Sequence, residues 1–263
     1  MMLAKVPMFC QINGMADPNE KPAPDKPKSY WQESKRPLVC LAFVAPMLLI
    51  YEGGVLLLGP EAIRNGVEVY LRYVLQSIGF GQYLLLPVLT TSILLAWHHI
   101  NGDRWQIRTN VLGWMLAESL MLAFVLLLIA RMQGSFFAAV AASTGGGTTA
   151  DKIGLYIGYF GAGIYEELLF RLMLLPTVVA VIAYCGVGKP KSITIAVIVT
   201  SLVFSAAHYQ LFTFNEMADL FSWFSFTFRF LAGVFFALLF LYRGFGVTVG
   251  AHALYDIFSR LNF

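Results

Sequence analysis

The sequence predicts an all-α protein, a polytopic transmembrane helix bundle with about seven membrane segments. Hydrophobic residues make up 58% of its 263 residues and charged residues only 13%, where soluble domains carry about 25% charged residues. Mean hydropathy is +0.70. Apolar runs near the ~20 residues needed to cross a bilayer as a helix recur along the chain, with no internal repeat.

Taken in order, residues 1–37 hold Pro18, Pro22, Pro24, Pro27 and Pro37 among Lys, Asp and Glu. They lack the apolar core of a signal peptide and read as a disordered polar tail. Residues 38–150 read as accessory transmembrane helices, with apolar segments at 38–59, 78–97 and 111–130. His98 and His99 follow Trp97 at a segment end and read as interfacial. Glu52 and Glu118 fall inside the first and third segments, where they are expected to pair with Arg229 or to line a cavity. Residues 143–151 read as a flexible loop; its glycines lack the Lys-Ser/Thr pair of a phosphate-binding loop.

Residues 151–263 form the last unit, with segments at 153–185, 192–209, 217–242 and 246–261. The first would reach about 50 Å as one straight helix. A bend is therefore expected before Tyr165, and another near Pro176. The last segment is short. Small residues four apart (Gly154, Gly158 and Ala162; Gly246 and Gly250) predict close helix packing. The phenylalanine-rich stretch 221–230 reads as lipid-facing or core packing.

Seven crossings divide the basic residues unevenly. One side receives Lys5, Lys21, Lys26, Lys28, Lys35, Arg36, Arg104, Arg108, Lys189, Lys191 and Arg243; the other receives Arg64, Arg72, Arg131, Lys152 and Arg260. The excess of Lys and Arg on cytoplasmic loops places the N-terminus in the cytoplasm. The membrane is the plasma membrane if the chain is bacterial. A net charge of +3, scattered over loops, offers no basic face for nucleic acid. Cys10, Cys40 and Cys185 are dispersed and odd in number; the latter two read as small hydrophobes and not as a disulfide framework or a zinc knuckle.

Chemistry concentrates in Tyr165-Glu166-Glu167-Leu168-Leu169-Phe170-Arg171. Each charged side chain at the centre of a membrane helix costs about 2.5–3.5 kcal/mol, so three cost on the order of 10 kcal/mol unless partners offset them. Such groups default to a functional reading. Glu167 and Arg171, at i,i+4, share a helix face and can pair. Glu166 is turned about 100° away and is left for general-base work. The next segment runs antiparallel and ends at Phe204-x-x-x-His208. Glu166 lies about 29 Å of helix before residue 185, and His208 about 26 Å after Lys191. The two therefore reach similar depth and can meet around one water. In His252-x-x-x-Asp256 the carboxylate is expected to accept the imidazole proton and fix the tautomer. No His-Glu-x-x-His, Gly-x-Gly-Asp or Gly-x-Ser motif points to a zinc, aspartyl or serine intramembrane protease, and nothing marks Ser205 as an activated nucleophile.

Glu166-Glu167…Arg171, Phe204…His208 and His252…Asp256, in that order on late membrane helices, resemble the CPBP superfamily. This group comprises the type II CAAX prenyl endopeptidases and the Abi-type, bacteriocin-processing membrane proteins. The resemblance spans roughly residues 159–259. It implies a glutamate-dependent intramembrane peptidase in which Glu166 and His208 activate the attacking water. It further implies that His252 and Asp256 line an oxyanion site, with Glu167, Arg171 and Phe204 in support. The better-known prenyl endopeptidases carry asparagine at the last motif position. Asp256 can donate there only if protonated; otherwise it orients His252 and leaves that ring to donate.

The expected function is hydrolysis of a peptide bond in a membrane-associated peptide or protein substrate, lipidated or not, without a cofactor. Two other readings stay open. One is a non-catalytic protein of the same fold acting in immunity, scaffolding or partner regulation. The other is a zinc enzyme using Glu166, His208 and His252 as ligands.

Overall fold

The computed structural model describes residues 29–59, 66–77, 79, 85–136, 149–209 and 221–260. Its regular elements among these are helices: α1 (Tyr30–Glu33), α2 (Pro37–Leu58), α3 (Gly66–Ser77), α4 (Leu85–Asn101), α5 (Thr109–Phe136), α6 (Thr149–Glu167), a π-helical segment (Leu168–Leu174), α7 (Leu175–Tyr184), α8 (Lys189–Ala206), α9 (Trp223–Arg243) and α10 (Phe245–Arg260). Five stretches are long and apolar enough to cross a membrane: Pro37–Leu58, Thr109–Gln133, Ile153–Tyr184, Lys189–Ala206 and Trp223–Arg243. The chain is a multi-pass integral membrane protein. The other two expected segments appear as α4, of 17 residues, and α10, of 16. Residues 245–253 of α10 are all buried.

The two ends of the bundle are defined by contacts between helix termini. At one end, Arg36, just before α2, donates to the Gln106 carbonyl (3.1 Å) and the Arg104 carbonyl in the α4–α5 connection. Arg243, the last residue of α9, binds Ser34 (3.1 Å) and Glu118 of α5 (2.7 Å). At the other end, Leu58 of α2 faces Gly154 of α6, and Gln133 of α5 donates to the Phe224 carbonyl of α9.

Close approach at two glycines sets the helices that carry the motifs. A Cβ on Gly163 of α6 would stand 2.9 Å from both the Cβ and the backbone nitrogen of Ala253. That contact seats α6 directly on α10. Gly244 alone joins α9 to α10, with φ +82°, a left-handed conformation that disfavours other residues. The expected packing role of Gly246 and Gly250 appears in α10, where added methyls would strike Met115 and Ser119 of α5. On α6 the tight positions are Gly161 and Gly163; a Cβ at Gly154 would make only an ordinary contact of 3.6 Å.

Several expectations are corrected. No break in the helix precedes Tyr165, since α6 is continuous to Glu167. The irregularity comes later, as a π-helical segment in which the Leu175 N–H donates to the Phe170 carbonyl, five residues back. Pro176 explains its place: it has no N–H for the carbonyl four residues earlier and its ring crowds that carbonyl, so wider winding relieves the turn before it. Thr149–Asp151, read as loop, is helical; residues 143–148 lie outside the described residues. Residues 29–37, read as tail, form α1 and the start of α2, with Glu33, Ser34 and Arg36 buried; Arg36 pairs with Glu33 at 2.9 Å. Cys185 is exposed at the α7–α8 turn while Cys40 is buried, and Cys10 lies outside the described residues. His98, in the last turn of α4, is buried within the protein, with Trp105 edge-on at 4.6 Å. Glu118 pairs with Arg243 and Tyr30, and Glu52 with Tyr165 and Arg72. Those partners offset the two carboxylates; Arg229 sits on α9 over the Tyr209 ring.

Candidate active site

Glu166, next to last in α6, stands near the middle of the 32-residue stretch Ile153–Tyr184. Its Oε2 stands 3.8 Å from His208 Nε2 and 3.8 Å from His252 Nε2. Three helices thus bring one carboxylate between two imidazoles. Both separations exceed a hydrogen bond, and both are short enough for a single bridging water to reach both groups.

The ring orientations follow from the partners on the other nitrogens. His208 Nδ1 lies 2.8 Å from the Phe204 carbonyl. A carbonyl only accepts, so Nδ1 carries the proton and Nε2 turns a lone pair toward Glu166 when the ring is neutral. His252 Nδ1 lies 2.7 Å from Glu167 Oε1, and the same logic leaves its Nε2 facing Glu166. This corrects the expected tautomer lock. Asp256 Oδ2 is 3.7 Å from His252 Nε2, too far to fix it; Glu167 does so from the neighbouring helix. In-helix spacing suggested Asp256, but the α6–α10 contact at Gly163 brings Glu167 nearer.

Glu167 in turn is held by Arg171, whose Nη1 lies 3.1 Å from Oε1. The guanidinium is almost wholly buried and donates to the Gly233 carbonyl at 3.1 Å. It lies 4.3 Å from the centroid of Phe204 and 5.6 Å from that of Phe236, placing the cation against ring faces. Phe236 also stacks on His252, with centroids 4.4 Å apart and an interplanar angle of 13°. Phe204 meets His208 edge-on at 4.9 Å. All seven residues singled out from the three motifs, Glu166, Glu167, Arg171, Phe204, His208, His252 and Asp256, are therefore gathered in one cluster. Ser205, by contrast, spends its hydroxyl on the Phe226 carbonyl at 2.7 Å.

A second buried group adjoins this cluster and was missed in the sequence. Tyr165 donates to Glu52 and packs edge-on against Tyr51, which donates to Glu68. Arg72 Nε binds Glu68 at 2.5 Å, and Arg72 Nη2 lies 3.9 Å from Glu52. Accessory helices α2 and α3 thus grip the residue immediately before Glu166. The i,i+4 spacing of Glu68 and Arg72 was the available signal; its link to Tyr165 depends on tertiary packing. Among the described residues, no group of three or more His, Cys, Asp or Glu side chains is placed to hold a metal ion.

Residues 150–258 match the family model "Type II CAAX prenyl endopeptidase Rce1-like". The match bears out the CPBP resemblance over the stretch that carries all three motifs, α6 to α10, and covers less than half of the chain. No curated protein and no solved structure matches. The Rce1-like region supplies every residue of the Glu166 cluster, while the Tyr51, Glu52, Glu68 and Arg72 group lies outside it.

Proposed function

We propose that this protein is an intramembrane endopeptidase that hydrolyses a peptide bond of a membrane-associated substrate without a metal ion. The observation that carries the reading is the placement of Glu166 3.8 Å from both His208 Nε2 and His252 Nε2. A water held between Glu166 and His208 loses its proton to the carboxylate as it attacks the scissile carbonyl, and Glu166 returns that proton to the departing amine nitrogen as the C–N bond breaks. The tetrahedral oxyanion is met from the α10 side by the His252 ring, which donates from Nε2 when protonated, with Asp256 beside it. Glu167 and Arg171 hold His252 in register. The Rce1-like match supports a peptidase of this general kind, and a lipidated peptide is one substrate class it suggests. The N-terminus is proposed to be cytoplasmic.

The test is cleavage by purified protein of an internally quenched, prenylated CAAX peptide and of an apolar quenched peptide. Glu166→Gln and His208→Ala are expected to lower turnover at least 100-fold, a typical size for losing general-base assistance, while both variants elute as the folded species. Full activity in both removes the assignment. Metal analysis of the same preparation addresses the zinc reading: stoichiometric zinc that disappears in His252→Ala overturns the metal-free mechanism.

A further inference from the structure

We propose that Tyr165 and Glu52 are positioning residues for Glu166: the bond between them fixes the rotation of α6 and so aims the carboxylate between His208 and His252. That this aim serves peptide hydrolysis rests on the peptidase reading; the aim itself does not.

The face that each residue of α6 presents follows from a rotation of about 100° per residue. Gly161 and Tyr165 share one face, and Gly163 and Glu167 share the roughly opposite one. The first face meets α2. A Cβ on Gly161 would strike the Tyr51 ring, and the same ring packs edge-on against Tyr165 with centroids 5.6 Å apart. Tyr51 is thereby wedged against two residues one turn apart, while the Tyr165 hydroxyl donates to Glu52. The opposite face meets α10, through Gly163 against Ala253 and Glu167 against His252. Glu166 points between these two supports, about 100° from Tyr165 on one side and about 100° from Glu167 on the other.

Lateral support matters here because the winding changes just beyond Glu166. From Leu168 to Leu174 the backbone is π-helical, a wider turn than the α-helix before it, so α7 does not set the rotation of α6 by simple continuation. The tip of a helix side chain stands about 5–6 Å from the axis, and a turn of about 10° moves it by about 1 Å. Misplacement by about 1 Å can cost on the order of 100-fold in rate. Glu166 has little room for such an error, since it serves two imidazoles at once, each 3.8 Å away. The α2 side of the support is itself anchored. Glu52 lies 3.9 Å from Arg72, Arg72 Nε binds Glu68 at 2.5 Å, and Tyr51 donates to Glu68. Tyr51, Glu68 and Tyr165 are wholly buried. Two helices outside the Rce1-like region, α2 and α3, thereby gain a share in the chemistry and not in packing alone.

The test uses the purified full chain. Tyr165→Phe and Glu52→Leu remove the bond, whereas Glu52→Gln keeps an oxygen that accepts from Tyr165. In the quenched-peptide assay, run well below each variant's unfolding midpoint, Tyr165→Phe and Glu52→Leu are expected to lower kcat about 10-fold with KM unchanged. Glu52→Gln is expected to keep most of the wild-type kcat. NMR of ring-labelled histidine supplies an arm that needs no activity. Glu166→Gln marks how the pH titrations of His208 and His252 move when the carboxylate between them is lost. Tyr165→Phe is expected to move both in that same direction, and Glu52→Gln to leave them near their wild-type positions. A merely structural loss would reduce the amount of folded protein without moving these titrations. Wild-type kcat, or unmoved titrations, in folded Tyr165→Phe overturns the inference. Should Glu52→Leu not fold, Tyr165→Phe decides. If the wild-type chain cleaves neither peptide, the peptidase reading fails, and the histidine titrations still decide the aim of Glu166.

Discussion

Replacing Arg171 by Met gives a perturbation whose size can be worked from the structure. The guanidinium and its partner Glu167 are 2% and 0% exposed, so solvent screening does not dilute the effect. Removing one member of a buried ion pair leaves the other charged and uncompensated, which costs about 3–5 kcal/mol. Arg171 also satisfies the Gly233 carbonyl, and an orphaned buried acceptor costs about 1–3 kcal/mol; the two penalties overlap and do not add. Arg171→Met alone should therefore lose about 3–5 kcal/mol of unfolding free energy. The double variant Arg171→Met with Glu167→Gln removes both charges. It leaves mainly the Gly233 carbonyl unsatisfied, so it should lose only about 1–3 kcal/mol and be the more stable of the two. Chemical unfolding in detergent, completed with Glu167→Gln alone, gives the coupling energy directly. A loss under about 1 kcal/mol in Arg171→Met, or a double variant no more stable than the single, would refute the claim that this pair is a buried, mutually dependent unit.

Two further outcomes follow from the packing. Gly163→Ala places a methyl against the Ala253 backbone nitrogen at 2.9 Å and the Val249 carbonyl at 3.1 Å; overpacking of this kind costs about 1–3 kcal/mol, and the same unfolding assay should register it. Tyr165→Phe strips Glu52 of its hydroxyl donor and should cost about 1–3 kcal/mol, read as a lower unfolding midpoint; an unchanged midpoint would show that the α2–α6 contact does not depend on this bond.

Much of this architecture was legible because membrane burial makes polar residues conspicuous. Glu166, His208 and His252 stood out as ionisable groups in apolar runs, and the antiparallel arithmetic placed the first two at one depth. Helical spacing gave the Glu167–Arg171 pair. What could not be read were contacts that depend on how helices rotate against one another. Asp256 looked like the partner of His252 because it lies one turn away on the same helix, yet Glu167 takes that role across the Gly163–Ala253 contact. Likewise, Glu52 and Glu118 had visible charge but no visible partner, since Tyr165 and Arg243 are more than a hundred residues away in sequence. The π-helical segment had only Pro176 as its sign, and proline announces a disturbed turn without saying how the backbone will absorb it.

The corner at Gly244 reaches further than its single residue suggests. It turns the chain into α10, which bears His252 two turns later, and it is pressed from outside by Lys35, whose Cα would lie 3.2 Å from a Cβ at Gly244. Ser34 and Tyr30 tie the same leading segment to Arg243 and Glu118, while Trp31 lies beneath the guanidinium at 3.9 Å. An affinity tag or cleavage sequence inserted between residues 29 and 36 is therefore not a neutral handle, because it would loosen the brace that aims an imidazole deep in the bilayer.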